Sequence, residues 1–172
     1  MKIKSLSQLK RCLLPLRRAG KRIVFANGCF DILHMGHITT LREAKRLGDV
    51  LIVAVNSDGS VRRLKGANRP FIPEKERTAI LASLEMVDYV ILFPDETPLR
   101  LIRQLEPDVL VKGNDYEGKE VVGQDVVEAR GGKVVLIPIV PRHSTTLLVE
   151  KIRRNLAGEP ARSRCTTKRL SG

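Results

Sequence analysis

Ile23-Val-Phe-Ala-Asn-Gly-Cys-Phe-Asp-Ile-Leu-His-Met-Gly-His37 runs from a short apolar block directly into two histidines, and the stretch from Gly36 to Leu47 that follows has helical character. Ile23–Ala26, rich in β-branched and aromatic residues, predicts a strand. Gly28 lets a ligand approach backbone that a side chain would cover. The start of the following helix presents unbonded N–H groups and a partial positive charge, a place for phosphate. Gly36 leaves the first helical turn without a side chain, so a flat group such as a nucleobase can pack against it. His34 and His37 are three residues apart, which puts both imidazoles on one side of a helical turn. As a pair they can donate hydrogen bonds to one phosphate, ligate a metal, or serve packing. The metal reading needs a third protein ligand, and the only other histidine in the chain is His143.

Outward from this segment the chain alternates. Apolar blocks at Val50–Val55, Tyr89–Phe93, Val109–Val111 and Val134–Ile137 are separated by helix-like stretches at Glu74–Leu84, Pro98–Leu105 and Asp125–Ala129. Val- and Ile-rich strands with helices between them predict an α/β fold: a doubly wound, mostly parallel five-stranded sheet, Rossmann-like, with helices on both faces. Ligands of such sheets sit beyond the carboxyl ends of the strands, where strand order reverses, so functional residues are expected just after Ala26, Val55, Val111 and Ile139. Ser7–Ala19 carries leucines at helical spacing and ends at Gly20, though it contains Pro15. The expected organisation is an N-terminal helical extension, 1–20, a catalytic domain, 21–154, and a basic flexible tail, 155–172.

The 172-residue chain can bury a core without a staple, and Cys12, Cys29 and Cys165 form no close pair, which suits a reducing cytoplasm. No apolar run approaches the length of a membrane span, and the start lacks a continuous secretory segment, so a cytoplasmic protein without membrane insertion is expected. The net charge of +12 is carried by the ends: +8 in residues 1–22 and +5 in 153–172, leaving −1 between. A nucleic-acid-binding face would be built into the folded body and would use stacking aromatics. With four Phe, two Tyr and no Trp, no nucleic-acid partner is expected.

Five segments in order, GCFDILHMGH, VNSDGSVRRLKG, EKERTAILASLEMVDYVILF, PDVLVKGNDY and HSTTLLVEKI, carry a family resemblance. The first resembles the H-x-G-H signature of the cytidylyltransferase-like nucleotidyltransferases. Together, over about Lys21 to Arg153, they are similar to the adenylyltransferase domains of bacterial ADP-heptose synthases.

The resemblance implies transfer of AMP from ATP to a sugar 1-phosphate, in particular D-glycero-β-D-manno-heptose 1-phosphate, with release of pyrophosphate. It implies no covalent nucleophile, only positioning and charge stabilisation. It makes His34, His37 and Lys65 catalytic, and puts Gly28, Cys29, Phe30, Asp31, Gly36, Lys112, Ser144, Thr145 and Thr146 at the nucleotide. Asp31, Lys65, Arg77 and Asp115 are implied at the acceptor substrate. No protein ligand to a metal is implied; Mg²⁺ arrives on the triphosphate. Plainer roles stand beside these: a turn or cap for Asp31, a solvated loop position for Lys65, a surface ion pair for Arg77 and a helix N-cap for Ser144. Asn114 stands where relatives have glycine, and Arg142 and His143 receive no role. A separate sugar kinase and a homodimer or larger assembly are implied as partners. The alternative within the family is a cytidylyltransferase acting on glycerol 3-phosphate or a similar alcohol phosphate.

Overall fold

The computed structural model describes residues 1–113, 121–138 and 143–157. Five strands, β1 (Ile23–Gly28), β2 (Val50–Asn56), β3 (Tyr89–Phe93), β4 (Val109–Gly113) and β5 (Lys133–Ile137), form one sheet in the order β3-β2-β1-β4-β5. Every pairing is parallel. The order runs one way from β1 to β3 and then restarts on the other side of β1, so the reversal lies between β1 and β4.

Alternate residues of each strand enter two separate cores. Ile23 and Phe25 of β1, with Ile52 of β2, pack under α1 (Leu6–Arg18), α5 (Leu99–Leu105) and α6 (Gln124–Glu128). Val24 and Ala26, with Leu51 and Val53, pack under α2 (Met35–Arg46) and α4 (Glu74–Ala82). This two-sided burial is why the strands read as unbroken apolar blocks.

Pro15 sits inside α1 without ending it. Pro15 and Arg11, whose carbonyl loses its partner, both lie on the exposed side, where water replaces the missing bond. Ser5 and Gln8 close a capping box at the start of that helix, and Leu9 and Leu13 are fully buried in the first core.

The segment after β2 departs from the sequence reading. Lys65, expected in a mobile loop, is the last residue of a helix, α3 (Asp58–Lys65), which Ser57 caps by accepting a hydrogen bond from Ser60 N–H at 3.2 Å. Gly59 and two adjacent arginines hid it, because the helical signal spans barely two turns. At the other end, α7 (Thr145–Leu156) has no buried residue. The tail anticipated at 155–172 lies outside the described residues from 158 on, as do Ile139, Arg142, Asn114 and Asp115.

Candidate active site

The loop from Cys29 to His34 leaves the carboxyl end of β1 and delivers two rings to the tip of α2. Phe30 and Ile32 hold left-handed backbone at φ 49° and 54°, a conformation costly for residues with a Cβ and concentrated at functional sites. A Cβ on Gly28 would stand 3.3 Å from the Phe30 ring, so this glycine makes room for Phe30. Phe30 in turn packs on His37, centroids 5.3 Å apart, and His37 stacks on His34 at 3.8 Å and 22°. At Gly36 a Cβ would meet the His34 ring at 3.0 Å and the His143 carbonyl at 3.1 Å. A side chain at the position expected to receive a base would thus press on the His34 imidazole and on the chain entering α7.

Both imidazoles are held neutral. Burial, then the neighbouring His34, push His37 down to about 4 against the opposing pull of Asp31. Burial and then His143 lower His34. The Nδ1 atoms of both rings are buried with no hydrogen-bond partner among the described residues. A proton at Nδ1 would be buried without an acceptor, which favours the tautomer protonated at Nε2, the form that can donate to a ligand.

Asp31, 1% exposed, is the hub of the loop. Its carboxylate accepts Phe71 N–H and Ile72 N–H at 2.9 Å and Arg69 Nε–H at 2.6 Å. Its backbone carbonyl accepts the Thr145 hydroxyl at 2.6 Å, fastening the start of α7. Ser144 caps that helix, accepting Leu147 N–H at 3.2 Å, and Thr146 is exposed. Across the reversal, buried Lys112 of β4 donates to Asn27 Oδ1 of β1 at 2.5 Å.

Arg77 is buried beneath the loop that follows β1. Its guanidinium donates to the carbonyls of Cys29, Asn56 and Ile72 and pairs with Asp58 at 2.8 Å. Lys65 is exposed at the end of α3. Burial raises the half-buried Cys29 thiol against the opposing pull of Lys65, Arg77 and Arg69. Arg69 and Asn27 were not assigned in the sequence reading. An isolated arginine before a proline and an asparagine at a strand end carry no pattern of their own.

Among the described residues no group of three or more His, Cys, Asp or Glu side chains is arranged to hold a metal ion, and Asp31 is already engaged. No helix of the described residues is long and apolar enough to cross a membrane. A recess of about 560 Å³ at the opposite end of the sheet, lined by Arg17, Lys21, Arg22, Arg130 and Lys133 among others, contains none of these residues.

A parallel sheet reversing beside a glycine-opened loop, with paired neutral imidazoles at a helix tip and cations around it, defines a nucleotidyltransferase. The chain belongs to the cytidylyltransferase-like family, whose model matches residues 25–154. It is 55% identical over 88% of its length to the bifunctional protein HldE of Geotalea uraniireducens and 54% identical over 88% to that of Citrifermentans bemidjiense. It spans 31% of the length of each of these relatives. Among solved structures it is similar to the lipopolysaccharide core biosynthesis protein of Thermoplasma volcanium. That likeness has 34% identity and a TM-score of 0.58, and covers 70% of this chain and 98% of that one. Pantoate-beta-alanine ligase of Francisella tularensis, 20% identical with a TM-score of 0.58 over 80% of this chain and 67% of its own, shares the fold.

Proposed function

We propose that this chain transfers AMP from ATP to D-glycero-β-D-manno-heptose 1-phosphate, giving ADP-heptose and pyrophosphate. The observation that carries the reading is the stacked His34–His37 pair, neutral and open at Nε2, at the tip of α2 in a chain half identical to the HldE proteins. A phosphate oxygen of the sugar attacks the α-phosphorus of ATP, the bond to the β-phosphate bridging oxygen breaks, and pyrophosphate leaves with that electron pair. The two imidazoles donate to the α- and β-phosphate oxygens as their charge spreads, and the free amides of α2 add to the same field. Lys112 and the start of α7, with Ser144, Thr145 and Thr146, flank the nucleotide. Lys65 and, through the loop it anchors, Asp31 serve the acceptor, as does Asp115, which lies outside the described residues. Mg²⁺ bound to the triphosphate supplies charge neutralisation.

The protein works in the cytoplasm, as a homodimer or larger homo-oligomer, on heptose 1-phosphate made by a separate sugar kinase. Pyrophosphate release measured with ATP or CTP, each paired with heptose 1-phosphate or glycerol 3-phosphate, tests the reading. Turnover is expected with ATP and heptose 1-phosphate; turnover confined to CTP or to glycerol 3-phosphate overturns it.

A further inference from the structure

We propose that Arg69 is the residue that grips the phosphate of the acceptor, its guanidinium held in place by Asp31 and Phe71. The assignment rests on the transfer reaction above, but not on which sugar or alcohol carries the phosphate.

The geometry is that of an arm clamped at one side and open at its end. Arg69 meets Asp31 through Nε alone, at 2.6 Å, and its Cζ lies 4.8 Å from the Phe71 ring centroid. Nη1 and Nη2, with four N–H donors, have no protein partner among the described residues. Arginine–carboxylate pairs frequently engage two donors of the fork, whereas this one uses Nε alone and leaves the fork pointing elsewhere. The carboxylate also accepts two backbone N–H donors, from Phe71 and Ile72, so Arg69 need supply only one of its hydrogen bonds. The side chain is only 19% exposed, so the clamp and the stack fix the plane of the fork before any ligand arrives. Such preorganisation limits the entropy lost on binding and favours a fork over a point charge.

Position decides which phosphate it meets. Sheets of this type bind the nucleotide at the reversal, here between β1 and β4. Arg69 comes from the segment between α3 and α4, on the β2 side of β1, and is bonded to Asp31 in the β1 loop. It therefore stands across the histidines from the nucleotide crevice. Lys65 lies at an exposed helix end and has no hydrogen bond or ion pair among the described residues, whereas Arg69 is held by Asp31 and Phe71.

The test is steady-state kinetics of pyrophosphate release for the full chain and for Arg69→Gln, Arg69→Lys and Phe71→Leu, varying ATP and acceptor separately. Inorganic phosphate is added as an inhibitor competing with the acceptor. For Arg69→Gln the acceptor KM is expected to rise about 10-fold or more while that for ATP moves less than about threefold, and phosphate inhibition weakens in parallel. Arg69→Lys keeps the charge but loses the fork, and is expected to recover only part of the loss; Phe71→Leu falls between. A rise in KM for ATP instead, or unchanged acceptor KM and phosphate inhibition, overturns the assignment. If the wild type turns over only glycerol 3-phosphate, the heptose reading fails while the Arg69 assignment is judged on that acceptor. A wild type transferring to no phosphate acceptor removes both.

Discussion

Asp31 and Arg77 hold one residue from its two sides: Ile72 gives its N–H to Asp31 Oδ1 and its carbonyl to Arg77 Nε, each at 2.9 Å. Arg77 also binds the carbonyl of Cys29, two residues before Asp31, so the loop after β1 and the segment before α4 are closed into a ring through two charged side chains, each 1% exposed. Breaking a buried pair strands its partner. Arg77→Met is expected to cost about 3–5 kcal/mol, since it leaves Asp58 and three carbonyls without their donor. The thermal midpoint, followed by circular dichroism, should fall by roughly 10 °C. A midpoint within two degrees of wild type, on the order of the scatter for a neutral surface change, refutes the role.

The two histidines act on one charge. His34→Ala and His37→Ala are each expected to lower kcat by about 10² to 10³ with little change in stability of the sheet. Because the rings stack on one another at 3.8 Å, removing one disturbs the other, so the double variant should lose less than the product of the single losses. Strict multiplicativity would mean that the rings work independently.

His37 also ties stability to pH. Its folded-state value, about 4, is below the ordinary 6.5, so folding favours the neutral ring. The contribution is whole above pH 6.5 and is lost as pH falls from there through 4. It amounts to at most on the order of 3 kcal/mol. Urea midpoints at pH 7 and 4.5 should therefore differ more for the wild type than for His37→Gln. Equal differences would show that His37 does not titrate out of its folded environment.

Two glycines separate function from conformation. Gly36→Ala places a methyl 3.0 Å from the His34 ring and 3.1 Å from the His143 carbonyl, so activity is expected to fall by about 10-fold or more as the ring is displaced. Gly20 has nothing within 4 Å of an added Cβ but holds φ 69°. Gly20→Ala should cost about 1 kcal/mol and leave kcat unaltered. The reverse pattern, with Gly20 affecting turnover and Gly36 silent, contradicts the geometry described.

The fold was legible because each strand is buried on both faces and so reads as a block, and the loop at Asn27–His37 was legible because glycine, aspartate and histidines crowd into eleven residues. Contacts made across the chain were not. Asp31 reads as a turn residue until Phe71 and Ile72, forty residues on, are brought to it. Arg77 carries the same local signal as a solvated helix arginine, and only burial under β1 and β2 gives it four partners. Gly28 and Gly36 were read as openings for a ligand. In the structure the space that they free is taken by Phe30 and His34, because rings from adjacent positions reach it first.

The bareness of α7 acquires meaning from its two anchors. Its tip is tied to the Asp31 carbonyl by Thr145, and the His143 carbonyl leans on Gly36 beside the imidazoles, while no residue of the shaft beyond is fully buried. Among the described residues, then, α7 is fixed at its N-terminal tip, next to His34, and meets water along most of its shaft.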